Sequence, residues 1–202
     1  MELYSKTLAQ GGRIPERCAY GRLGESGETV PSDNLNPHLA WSKAPEGTRA
    51  YVVACLDDDV PTDFGDLVDG ELPAWQPRRR FVHWVQANVP AEVTEIAEGA
   101  LSNGSKLAPG FGLAGVNDYS RGKPVEPGAV GTGYDGPCPP GIDSRHHVYR
   151  WIVAALDAPL ELPEVFTWSD VAEAMKGHVL ACSELQGFYS LNPRLAERTG
   201  TH

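Results

Sequence analysis

The chain has 202 residues, of which 17 are basic and 27 acidic, giving a formal net charge of −10. With 41% hydrophobic and 22% charged residues, it is no disordered polymer and is long enough for one well-buried core. So negative a field repels phosphate backbones, and Arg78-Arg79-Arg80 is the only basic run, so no nucleic-acid partner is expected.

The 22 glycines and 17 prolines are scattered between short apolar runs, which points to a mainly β chain with many turns. Met1 to Lys6 holds no apolar leader, and no run approaches the length of a membrane span, so a soluble, cytoplasmic protein without membrane insertion is expected. Cys18, Cys55, Cys138 and Cys182 lie far apart with no C-x-x-C pair. That spacing argues against a zinc site, and four free thiols are expected. No cofactor is implied.

Ala50 to Leu56 reads as a strand, bounded by the Pro45-Glu46-Gly47 turn and the cluster Asp57-Asp58-Asp59-Val60-Pro61. Three aspartates in a row ordinarily make a solvated turn, but functional groups collect where a buried strand opens into a loop. A carboxylate there can fix the tautomer of an imidazole and raise its pKa. Asp63 to Arg80 follows, acidic in its first half (Asp63, Asp66, Asp69, Glu71) and basic at its end. Such a segment either stays solvated, or folds on itself or docks on a neighbouring subunit at the pocket rim, where Trp75 is the expected apolar anchor if it forms a lid.

Phe81 to Ala87 reads as a second strand, with Phe81, His83 and Val85 on one face and Val82 and Trp84 on the other. An isolated His83 would be a satisfied core histidine; with Asp57 or Asp59 as partner it becomes a site residue. Gly133-Tyr134-Asp135-Gly136-Pro137-Cys138-Pro139-Pro140-Gly141 is a rigid loop, with φ fixed at the prolines and close approach allowed at the glycines. Tyr134 is either a pocket lid or turn packing, and Cys138 a small filler. His147 and Tyr149 share a strand face, whereas His146 points the other way. The loop therefore runs into an imidazole and a phenol beside a preformed wall, which describes a small anion pocket. Val148 to Leu156 is the expected central strand.

From Ser169 to Gln186, Val171, Met175, His178, Cys182 and Leu185 recur at spacings of three and four, which predicts an amphipathic C-terminal helix with His178 structural. Thr167 or Ser169 caps it and Gly187 stops it. Gly187 to Leu191 reads as a short closing strand, and the tail after Pro193 as frayed. No repeat or linker divides the chain, so residues 1–202 are read as a single domain. G-x-S-x-G, H-E-x-x-H and G-x-x-x-x-G-K-[ST] are all absent, which removes the common hydrolase and nucleotide-binding signatures.

Together these segments resemble the phosphatidylethanolamine-binding protein family, in its bacterial and archaeal Raf-kinase-inhibitor-like branch. Asn34-Leu35-Asn36-Pro37-His38-Leu39-Ala40-Trp41 is similar to the family's Asn-x-Ser-Pro-x-Leu-x-Trp, and Asp57 to Pro61 to its Asp-Pro-Asp-Ala-Pro. Phe81 to Asn88 is similar to its His-bearing strand with a closing Asn. Asn117-Asp118-Tyr119, Gly133 to Pro140, His147-Val148-Tyr149, Gly177 to Ala181 and Gly187-Phe188-Tyr189 complete the set. Three features depart from the pattern: Asp58 replaces a Pro, Arg150 stands where the strand is usually apolar, and 21 residues separate Pro61 from His83, more than in the family.

The resemblance implies an antiparallel β-sandwich with Greek-key connections and peripheral helices, often dimeric, that binds phosphate or phosphorylated head groups. It places the anion pocket on Asp57, Asp59, Pro61, His83, Pro139, Pro140, His147 and Tyr149. The expected function is small-anion binding, regulatory through protein partners, with His147 and Tyr149 donating and His83 held by Asp57 or Asp59. The alternatives are a hydrolase using His/Asp acid–base chemistry and a kinase or protease inhibitor acting through residues 63–80.

Overall fold

A computed structural model describes residues 1–198. In chain order the strands are β1 (Glu2–Tyr4), β2 (Gly12–Arg13), β3 (Gly21–Leu23), β4 (Thr29–Pro31), β5 (Leu39–Ser42), β6 (Ala50–Pro61), β7 (Arg78–Pro90), β8 (Glu95–Ile96), β9 (Leu113–Ala114), β10 (His147–Leu156) and β11 (Val179–Tyr189). Helix α1 spans Trp168–Ala174 and α2 spans Pro193–Arg198. The main sheet runs β2-β11-β10-β6-β7-β9, beside a three-stranded sheet β1-β5-β8 and the pair β3-β4. Pairing is antiparallel except for β2 on β11. No helix among the described residues is long and apolar enough to cross a membrane.

Ala50 to Leu56 of β6 and Trp151 to Leu156 of β10 are apolar because both faces of these stretches are covered. Tyr51, Val53 and Cys55, with Trp151, Val153 and Ala155, share one core with Leu39, Trp41 and Ile96 of the small sheet. Val52, Ala54 and Leu56, with Ala154 and Leu156, form a second core against Phe166 and Val171 of the α1 region. Burying each of these larger side chains stabilises the fold by roughly 1.5–3 kcal/mol. Asn88 closes β7 at φ 53°, a conformation asparagine tolerates, and clamps Leu160 through both backbone groups (2.9 and 2.7 Å).

Three local readings change. Leu56 pairs with Val82 while Cys55 pairs with Trp84, so His83 is an extra residue on β7, a β-bulge. The bulge breaks simple alternation: Val82 and Val85 both lie in the second core and Trp84 in the first. The long C-terminal helix is also replaced. α1 has seven residues, Gly177 turns at φ 83°, and Val179–Tyr189 pairs with β10 along its length. The stripe of Val171, Met175, His178, Cys182 and Leu185 is therefore no helical face. His178 stands exposed in the turn and pairs with Asp157 (2.7 Å). From Pro193 to Arg198 the chain forms α2, with Leu195 buried, where fraying was expected; the rest of that tail lies outside the described residues.

Arg150 on β10 is held by Glu184 of β11 (2.7 Å) and Asp58 of β6 (3.0 Å), and Asp58 also takes Arg80 (2.6 Å). All four cysteines are free thiols.

Candidate functional site

Tyr149 stands opposite Asp57, and Asp57 opposite Phe81. This register brings the ends of β10, β6 and β7 together at one edge of the first core. A cavity of about 580 Å³ opens there, lined by Asp57, His83, Pro139, Pro140, His147 and Tyr149. The other two expected site residues lie outside it. Asp59 instead accepts from the Val148 backbone N–H (2.8 Å) and pairs with Arg145 (2.8 Å), while Pro61 is a strand residue opposite Arg78.

The roles of the two histidines are the reverse of those expected. His147, wholly buried, is gripped by Asp57 at Nδ1 (2.7 Å) and Asp143 at Nε2 (3.0 Å). Burial works against its charge, but the bonds to Asp143 and Asp57 outweigh that and raise its pKa to about 9. Arg78 grips Asp143 through both terminal nitrogens. Asp57, His147, Asp143 and Arg78 thus alternate in sign as one buried array, and His147 has no donor left for a ligand. His83 bonds neither Asp57 nor Asp59. Its Nδ1 meets the backbone carbonyl of Asp135 (2.8 Å), and its Nε2 is buried without a partner among the described residues.

Tyr149 is the second open group. Its Oη is buried without a partner among the described residues, and its ring centroid lies 5.1 Å from that of His83. Burial, and then the charge of Asp57, push the phenol well above its usual 10, so it remains a neutral donor. Burial lowers the His83 pKa below 6.5, against the pull of Asp57 and Asp135. The Asp135 carbonyl only accepts, so Nδ1 carries hydrogen and a neutral His83 turns a lone pair toward the cavity.

The loop behind His83 is set by Asp135. Its carboxylate takes Lys106 (2.7 Å), Asn34 (2.9 Å), Asn117 (2.8 Å) and the Gly131 N–H (2.7 Å), all buried. Gly136 is required next to it, since a Cβ there would collide with the Cys18 carbonyl. Tyr134 is neither lid nor lining: it is fully buried against Trp84 and donates to the Cys18 carbonyl (2.6 Å). Burial raises the Cys138 thiol pKa, which leaves it protonated and inert.

The comparisons bear on this geometry directly. The family model described as phosphatidylethanolamine-binding protein matches residues 4–190. The chain belongs to the phosphatidylethanolamine-binding protein family. It is 30% identical to the UPF0098 protein YbhB of Escherichia coli, over 94% of this chain and all of that one. A UPF0098 protein of Methanothermobacter thermautotrophicus is also 30% identical, over 94% of this chain and 98% of its own. Among solved structures, the phosphatidylethanolamine-binding protein homologue CT736 of Chlamydia trachomatis superposes with a TM-score of 0.65 at 26% identity, covering 93% and 95% of the two chains. Escherichia coli YbcL shares the fold, with a TM-score of 0.70 at 24% identity over 94% and 97%.

Sequence reasoning missed several lining residues of this family member: Arg79, Phe81, Asp118, Tyr119 and Arg121. Phe81 and Tyr119 wall the imidazole, with centroids 4.8 and 5.6 Å from the His83 ring. Phe81 lies two residues before His83 on one strand, a signal that was available; Arg121 sits in a loop and offered none. The 63–80 segment does fold on itself, through a Val68–Glu71 bridge. It is also tied to the Gly/Pro loop through Leu72, whose N–H meets the Ile142 carbonyl (2.8 Å). Trp75 is not its anchor over the site: it is 73% exposed, and Phe64 lines the cavity in its place. Phe64→Ala is expected to weaken anion binding several-fold, whereas Trp75→Ala leaves it unchanged; calorimetric titration of the two variants with methyl phosphate checks this.

Proposed function

We propose that this protein binds a small anion, most simply a phosphate monoester, in the cavity between β6, β7 and β10. The observation that carries the reading is the pair of buried, unpartnered polar atoms, His83 Nε2 and Tyr149 Oη, facing one cavity. An unmet buried polar group costs about 1–3 kcal/mol, so a ligand that satisfies both recovers free energy that the empty site lacks. Tyr149 donates a hydrogen bond, and His83 completes the cradle once Nε2 is protonated. Pro139 and Pro140 have no N–H and serve as walls. A single cytoplasmic domain with reduced thiols is the setting this reading assumes.

His83 is neutral above its lowered pKa, so anion binding should take up one proton. We expect affinity for methyl sulfate, which keeps one charge throughout, to fall as pH rises from 5 to 8, by roughly tenfold per unit once His83 has lost its proton. His147 contributes nothing to this slope because its pKa lies at about 9. Calorimetry at four pH values checks it; a flat profile overturns the assignment of His83, and no binding to wild type overturns the proposal.

The hydrolytic alternative has less support, since both nitrogens of His147 are occupied and His83 lacks a carboxylate partner. A protein partner for residues 63–80 is favoured by one observation, the exposure of Leu67, Val68 and Trp75.

A further inference from the structure

We infer that the ligand carries two anionic groups, one seated on His83 and Tyr149 and a second held at the cavity mouth by Arg79 and Arg121. This rests on the anion reading above and deepens it. Three arginines stand in a row, and the outer two are committed: Arg78 grips Asp143 and Arg80 grips Asp58. Arg79, between them, is exposed, lines the cavity, and has no carboxylate partner among the described residues. Its guanidinium lies over the Phe81 ring, 5.7 Å from the centroid, with one long bond to the Arg80 carbonyl (3.3 Å). Phe81 in turn lies tilted beside His83, its centroid 4.8 Å away, so one aromatic ring contacts both the guanidinium and the imidazole.

Arg121 belongs to the same lining but comes from a loop rather than from β7. It ends the turn at Asp118–Ser120 with φ 52°, its N–H bonded to the Asp118 carbonyl (3.1 Å). It too lines the cavity, is exposed, and has no carboxylate partner among the described residues.

Two carboxylates share the cavity, and both are engaged. Asp57 holds His147 and the Asp59 N–H (2.7 Å), and Asp118 accepts from the Val82 N–H (2.9 Å). In a chain of net charge −10, the charges left unbalanced at this cavity are the Arg79 and Arg121 guanidiniums against the single Asp118 carboxylate, a cationic excess. A guanidinium presents a planar fork of donors that matches a carboxylate or a phosphate. An ammonium arm beside the first phosphate would meet two guanidiniums against one carboxylate, a net repulsion. The geometry thus selects a short, doubly anionic molecule, such as a phosphate monoester with a carboxylate a few bonds away, over one with a cationic head.

Three phosphate monoesters of similar size test this by calorimetry: 3-phosphoglycerate with an anionic second group, glycerol 3-phosphate with a neutral one, and O-phosphoethanolamine with a cationic one. Wild type should bind 3-phosphoglycerate about tenfold or more tighter than glycerol 3-phosphate, a step of roughly 1.4 kcal/mol, and O-phosphoethanolamine most weakly. Arg79→Gln with Arg121→Gln should collapse that margin. Arg22→Gln with Arg49→Gln alters net charge equally at exposed sites outside the cavity and should keep it. If glycerol 3-phosphate binds but the margin is absent, survives the first double variant or vanishes in the second, this inference fails and the anion reading stands. If none of the three esters binds wild type, both fail together.

Discussion

His147→Ala should lower stability by about 3–5 kcal/mol, the usual cost of removing one member of a buried charge array and leaving its partners uncompensated. Asp57 and Asp143 would face each other across the gap, with only Arg78 remaining to offset them. For a chain of this size roughly 2–4 °C of melting temperature accompanies each kcal/mol, so the midpoint should drop by about 10 °C. The wild type has a matching pH signature. The folded pKa of His147 is raised from 6.5 to about 9, so its protonated form stabilises the fold fully below pH 6.5. That contribution is lost as pH rises through 9. Thermal melts from pH 6 to 10 should show wild type losing this increment and the variant, which has already lost it, changing less. A variant melting within about 2 °C of wild type at pH 7 would correspond to under 1 kcal/mol and refute the array's role.

Asp135→Asn should be comparably damaging and should also abolish anion binding. Four donors converge on the Asp135 carboxylate, and an amide would turn a donor of its own against them. Lys106, 2% exposed, would lose its counter-charge; burial already lowers its pKa despite Asp135. A cost of about 3–5 kcal/mol follows, together with displacement of the Asp135 carbonyl that sets the His83 tautomer. Lys106→Met combined with Asp135→Asn removes the stranded cation and should recover much of the stability. Denaturant midpoints for the single and double variants, with methyl phosphate titrations alongside, check both halves. Equal midpoints for the two would show that the buried charge pair is not the source of the loss.

The middle of the fold was legible because continuous apolar runs need no partner to be recognised: Ala50 to Leu56 and Val148 to Leu156 lie within β6 and β10. His83, His147, Tyr149 and Asp57 were legible as cavity residues for the same reason, each lying in such a run or directly at its end. Their pairing was not. It depends on cross-strand register and on an extra residue at His83, neither of which any local window contains. The C-terminal misreading has a different cause. On β11 the inward set Ala181, Ser183, Leu185, Gly187 and Tyr189 mixes small and polar residues with large ones, which hides a period of two. Cys182 and Leu185 then complete a helical spacing by coincidence. The place of Arg79 and Arg121 at the cavity was not legible, because a charge gains meaning from who else is paired, and that is a property of the assembled surface.

Arg150 and Asp58 looked like two separate departures from the family's pattern, one a charge in an apolar strand, the other an acid in place of a proline. Across the sheet they are one. Each supplies what the other lacks, with Glu184 and Arg80 closing the arrangement. The pair therefore acts as one unit: proline at position 58 would leave Arg150 leaning on Glu184 alone and would strip Arg80 of its one carboxylate among the described residues.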